Sequence, residues 1–227
     1  MSDLPLIAEH YAELALGSDP VTGLEAFEGV LPLVAPRSGV VRRIPVRIVF
    51  PRGYPDQEPR AFDHTDKFLP HTSLRHFYSS DGRCCLWLPW DSQWQAHRND
   101  GLLDFMAHLA VFFNHQLLFD VSGKWPVPAR GHGRHGYREF LVEKLGISPQ
   151  EFSSFVPLLV DGARVAYLPC PFGSGKQAKR CHLIVVHELI SKIGRANLRE
   201  QVAWIIEEPC AETPVASSVA TAEAKCG

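Results

Sequence analysis

No cysteine occurs in the first 83 residues of this 227-residue chain; all six, Cys84, Cys85, Cys170, Cys181, Cys210 and Cys226, lie beyond that point. A secreted disulfide scaffold is shorter and denser in cysteine, so clustered cysteines here read as thiols or metal ligands. An excess of either charge is missing too: 23 Lys and Arg against 25 Asp and Glu give a net charge of −2. That removes the broad basic field of non-specific nucleic-acid binding, and no nucleic-acid partner is expected. No stretch approaches the roughly 20 uninterrupted apolar residues of a bilayer span. Met1-Ser2-Asp3-Leu4 lacks the basic start and apolar block of a signal peptide. The expectation is a cytoplasmic chain with no membrane partner. Low complexity and internal repeats are absent, and 45% hydrophobic residues suffice for a buried core.

The periodicity predicts an α+β protein. Leu4 to Leu16 carries apolar residues at helical spacing, which predicts a short amphipathic helix ended by Gly17, Asp19 and Pro20. Leu24 to Ala35 and Val40 to Phe50 read as antiparallel strands, with Ile44, Val46, Ile48 and Phe50 on one side. The Pro-rich run Phe50 to Pro59 cannot continue a ladder, because each proline removes a donor. Ala61 to Asn99 shows no sustained period and is rich in His, Trp, Pro, Asp and Cys, so it is too long for an idle loop.

Asp100 to Phe119 gives the strongest helix signal, and its wide apolar surface predicts burial. Gly123 to Gly136 reads as a Gly, Pro and His-rich loop and Tyr137 to Leu145 as a short helix. Ser148-Pro149-Gln150-Glu151 has the form of a capping box, predicting a helix from there to about Leu159 and a domain boundary before it. Arg164 to Leu168 reads as a strand, and Leu183 to Glu207 as helices broken near Gly194. The organisation expected is a first domain over 1–145, a small module over 146–207 and a flexible tail over 208–227.

The ordered elements Phe50-Pro51, Tyr54-Pro55, Pro59, His76, Gly82-Arg83-Cys84-Cys85-Leu86 and Trp94, followed by a long helix, resemble the ubiquitin-conjugating (UBC) enzyme family over residues 1–145. The resemblance implies a UBC-like fold of N-terminal helix, antiparallel meander and long buried helix, with a small mostly helical appendage. It places Cys85 as the active cysteine, which would carry an acyl group as a thioester and pass it to an amine. A thiol suits this chemistry because its thiolate is both a good nucleophile and a good leaving group. The bland alternative makes Cys84 and Cys85 two small core residues. Because neighbours on an extended segment face opposite ways, Cys84 is expected to pack inward.

The family's His-Pro-Asn turn is His76-Phe77-Tyr78 here, so no side-chain amide is supplied for a tetrahedral oxyanion. Losing one such donor costs about 10²–10³ in rate. Tyr78, His76, His132 and His135 are the candidate replacements, and a loop histidine would also serve as base for the incoming amine. A solvent-exposed turn is the competing reading of His132 and His135. Lys124-Trp125-Pro126 and the Gly-His loop resemble bacterial relatives of the family found in antiphage defence operons, of cyclic-oligonucleotide (CBASS) or ubiquitin-like conjugation type. The implied acyl donor is the C-terminus of a ubiquitin-like protein or of a cyclic-nucleotide synthase, with or without a separate activating enzyme.

Cys170 to His182 resembles the SEC-C zinc motif, with Phe172 where that motif has its second cysteine. Cys170, Cys181 and His182 remain as an incomplete metal set, and His187, Cys210 or Cys226 would have to supply a fourth ligand. A degenerate module held by packing of Phe172 and a phosphate-binding loop are the other readings; the second lacks P-loop spacing. Catalysis is expected to need no cofactor. The adaptor alternative, a UBC-like chain that binds a modifier or synthase tail without chemistry, follows from the missing Asn. A redox or metal-handling protein follows from cysteine count alone. The terminal Gly227 raises self-conjugation as a further reading.

Overall fold

Alternating side chains create the first layer. In β2 (Glu25–Val34) and β3 (Val41–Val49) the inward positions Phe27, Leu31, Ile44, Val46 and Ile48 are buried, while most of their neighbours are more exposed, the paired Ala26 and Val49 excepted. The register sets Phe27 opposite Ile48 and Leu31 opposite Ile44, so apolar pairs meet directly across the ladder. The computed structural model describes residues 4–207 apart from 35–38, 40, 66, 96–97, 99 and 129. It is an α+β chain whose four-stranded antiparallel sheet has the order β1-β2-β3-β4, with β1 at Leu14–Ser18 and β4 at Arg60–Asp63. Six α-helices occur among the described residues. The chain divides into two compact units, the first ending at Gly146 and the second beginning at Ile147.

Two expectations in the first unit are corrected here. The N-terminal helix α1 spans only Leu4–His10, because Leu14 to Ser18 pairs with Gly29 to Glu25 instead of continuing the helix. Ladder hydrogen bonds to a neighbouring strand outweigh the weak propensity of a short amphipathic run. The supposedly aperiodic stretch after Pro59 opens with β4, four residues paired to β3 over Val46–Asp63 and Val49–Arg60. Four residues are too few to display a period.

The long helix α2 spans Gly101–Ser122, and its stripe Leu102, Phe105, Met106, Leu109, Phe112, Phe113 and Gln116 is buried. By length and composition α2 is apolar enough to cross a membrane; in this structure the stripe lies in the core with Phe27, Leu31 and Ile48. Gly123, at φ 66°, ends it by donating to the Phe119 carbonyl at 2.8 Å. Helix α3 runs Gly133–Leu145, so it begins four residues before the expected start at Tyr137, and His135 belongs to its first turn rather than to a loop.

The second unit packs α4 (Phe152–Val165), α5 (Leu183–Ile193) and α6 (Arg195–Ile206) around Phe155, Leu158, Val186, Leu189, Leu198 and Val202. Helix α4 starts later than the Ser148 pattern suggests; Glu151 still reaches back to the Ser148 N–H at 2.7 Å, closing a turn before the helix. The strand expected over 164–168 is absent, because α4 continues through Val165. A kink at Asp161 (φ −141°, ψ 55°) interrupts α4, and the Val160 carbonyl is taken up by Arg199 Nε of α6 at 2.6 Å. The tail over 208–227, with Cys210, Cys226 and Gly227, lies outside the described residues.

Candidate active site around Cys85

The segment carrying Cys85 is held as a third layer of short bridges beside β4. Cys84 N–H donates to the Ala61 carbonyl at 2.8 Å, Arg83 bridges Phe62, and Cys84 bridges Phe77. On its other side Cys85 N–H donates to the His76 carbonyl and Tyr78 N–H to the Arg83 carbonyl, each at 2.8 Å. The chain reverses between Tyr78 and Arg83 through Gly82, whose φ of 72° suits glycine. An extended backbone pinned this way sends alternate side chains apart. Cys84 is buried among the core residues, and burial pushes its thiol well up. Cys85 lines a shallow cleft with Glu58, Arg60, Tyr78, Arg83, Leu86 and Trp87 among others.

The floor of the cleft is tied to the Pro-rich extension. Glu58 Oε2 accepts from Trp87 Nε1 at 2.6 Å and Ser92 Oγ at 2.5 Å, and Trp94 Nε1 donates to the Pro55 carbonyl at 2.8 Å. Tyr54 packs on Trp94 with ring centroids 5.7 Å apart. Thus the tyrosine, the prolines and the tryptophan that carry the sequence resemblance act together as a brace for the segment after Cys85.

Burial pushes the Cys85 thiol up from its ordinary range; a hydrogen bond from the Tyr78 side chain and the charge of Arg83 pull it down, and Glu58 adds a smaller push upward. Desolvation wins, so the resting group is a thiol at neutral pH. The Cys85 sulfur donates to the Trp87 carbonyl at 3.8 Å, and Tyr78 lines the same cleft; its phenol is pushed up by burial and then by the neighbouring Cys85. Tyr137 of α3 lies within electrostatic range of Cys85 and Tyr78, and it packs edge-on to Trp90 at 4.7 Å.

The histidine candidates separate. His76 contributes its backbone carbonyl to Cys85, but its ring stacks between Trp125 and His132, each centroid 4.3 Å away. His115 of α2 joins the same aromatic group at 5.5 Å from Trp125. Burial lowers His76 to about 4, with His132 and His115 contributing, and burial also lowers His132 and His115. His76 and His132 are therefore neutral bases at pH 7, grouped around Trp125. His135 sits in the first turn of α3, against Gly131. Sequence reasoning did not single out Arg83, Glu58 or Tyr137. The first has a local signal, a cation two residues before the cysteine; Tyr137 has none, since only the seating of α3 brings it there.

In the second unit, the Cys170 and Cys181 sulfurs each lie 3.2 Å from His182 Nδ1, and the three donor atoms fall within 4.8 Å of one another. Cys170 N–H donates to the Lys176 carbonyl at 2.8 Å, folding the Gly-Ser-Gly turn back so that the two ends of the motif meet. Ser174 Oγ donates to the Cys181 sulfur at 3.4 Å. Phe172 leans on the His182 ring at 5.0 Å yet stays 47% exposed, so its packing does not plug the missing position. Among the described residues no fourth ligand joins the three, His187 included.

Comparison with protein-family models and with curated proteins finds no match for this chain.

Proposed function

We propose that the first unit is a UBC-like carrier of acyl groups, with Cys85 as the thiol that holds them. One observation carries the reading: Cys85 lines a cleft on a segment pinned from both sides, with the Tyr78 and Arg83 side chains lining it too. In the first step the Cys85 thiolate attacks the donor's activated C-terminal carbonyl, the leaving group departs and a thioester remains. In the second, an amine attacks that carbonyl, the C–S bond breaks with its electron pair on sulfur, and the amine's proton passes to base or water. Tyr78 replaces the amide as donor to the oxyanion, while the neutral His76 and His132 are the nearby bases. The resemblance points to a ubiquitin-like protein or a cyclic-nucleotide synthase as donor and to antiphage defence as setting. Incubation with the donor should yield an adduct on Cys85 that thiol reductant cleaves, and Cys85→Ser should give a reductant-stable ester; a chain that forms neither is no carrier.

The raised Cys85 thiol favours a second reading, a UBC-like adaptor that binds a modifier or synthase tail without chemistry. On that reading Cys85→Ala keeps biological activity, while substitutions at Tyr54 or Trp94 abolish it.

For the second unit the proposal is a zinc-binding docking module. Two thiolates and an imidazole match zinc's preference for sulfur and nitrogen, leaving a fourth position to water or to a partner's side chain.

A further inference from the structure

Arg83 carries a charge that neither the core nor the brace uses. Its guanidinium lies over the Tyr78 ring, 4.1 Å from the centroid, and it lines the cleft with Cys85. Its Nε is buried without a hydrogen-bond partner, and no carboxylate pairs with it among the described residues. The backbone leaves the side chain little choice: the Arg83 carbonyl accepts from Tyr78 N–H, its own N–H donates to Asp81 at 3.1 Å, and it bridges Phe62. Burying the Nε of an unneutralised guanidinium forfeits hydration that the contact with the ring only partly returns.

The ring also lines the cleft with Cys85, so the guanidinium stacked on it is kept beside the thiol. We propose that Arg83 is the positioning residue of Cys85: stacked on Tyr78, it holds that ring and its own charge at the mouth of the cleft, where the charge offsets the hydration that the thiolate loses. The same charge serves the oxyanion that forms on the carbon bonded to sulfur, where the chain lacks an amide. The inference rests on reading Cys85 as the reactive thiol. The other titratable groups lining that cleft are Glu58, Arg60, Tyr78 and the adjacent Cys84, with Tyr137 in electrostatic range; Glu58 opposes Arg83, Arg60 is a second cation, and the phenols and Cys84 are uncharged at neutral pH.

The test needs no acyl donor. Alkylation of Cys85 in the full chain by iodoacetamide is followed from about pH 6 to about pH 11, through the raised midpoint to the plateau, with the modified peptide identified by mass spectrometry and folding checked by circular dichroism. Arg83→Gln should move the profile's midpoint upward by about one pH unit, which lowers the rate at pH 7 about tenfold. Arg83→Lys keeps the charge but not the planar stack and should recover part of the loss. In the Tyr78→Phe background Arg83→Gln should cost less than in the wild type, since the two act through one contact. A profile unchanged by Arg83→Gln overturns the proposal. So does an equal loss at every pH, with Lys no better than Gln, which marks a merely structural side chain. An Arg83-dependent profile in a chain that never forms a thioester upholds the assignment and removes the acyl-transfer reading.

Discussion

Gln116, a fully buried amide in the middle of α2, donates its Nε2 hydrogen to the backbone carbonyl of Arg75. The next residue, His76, is left-handed at φ 54° and gives its own carbonyl to Cys85 N–H. One polar side chain on an otherwise apolar stripe thus fixes the backbone on which the Cys85 segment is hung.

Gln116→Leu keeps the volume and strips Arg75's buried carbonyl of its donor. A loss of about 1–3 kcal/mol is expected from that unsatisfied group. Urea unfolding would measure it, and Cys85 alkylation in the native state should accelerate as the segment loosens. Unchanged stability would show that the carbonyl finds another donor.

Tyr78→Phe removes the hydroxyl beside Cys85 in the cleft while keeping the ring under Arg83. The thiol should rise further, and its alkylation at neutral pH should slow about fivefold. Thioester formation should fall more steeply than folding stability.

Stability should depend on pH through His76. Its folded value of about 4 lies below the unfolded value of 6.5, so the neutral form is favoured in the fold. Its contribution is intact above 6.5 and is lost as pH falls from 6.5 towards 4, by at most about 3 kcal/mol. His76→Asn, which tolerates the left-handed backbone, should flatten that part of the stability profile measured by thermal melts.

Gly136→Ala would set a methyl group into the Gly131 carbonyl oxygen at the start of α3. The first turn must shift, and Tyr137 is the next residue. A loss of about 2 kcal/mol or more is expected from the overlap, visible as a lower Tm, together with a changed pH profile of Cys85 alkylation.

Zinc titration of the full chain should load about one ion per chain, and Cys181→Ser or His182→Ala should abolish loading at micromolar metal. Chelation should lower the Tm of the second unit and leave Cys85 alkylation unchanged. Absence of binding in the wild type would leave the turn as a metal-free docking element.

Much of the scaffold was legible from residues alone. Alternation in Val41–Val49 and the stripe from Leu102 to Gln116 each report how one segment buries its own face, which is a local property. The opposed fates of Cys84 and Cys85 follow from the same pleat. The breaks at Gly123, Gly146 and Gly194 were legible for a similar reason, since each ends a run of helical spacing.

Partnership was not legible. Leu14 to Ser18 leaves the helix because β2 offers it a ladder, and Arg60 to Asp63 becomes a strand because β3 has a free edge there. His135 lies on α3 rather than in a loop, and Tyr137 comes within electrostatic range of Cys85 because that helix seats against Leu88 and Trp90. The sequence by itself determined a two-layer α+β scaffold and the thiol displayed on it. Only the tertiary structure decided which charges and phenols surround that thiol, because their energies come from contacts between segments far apart in the chain.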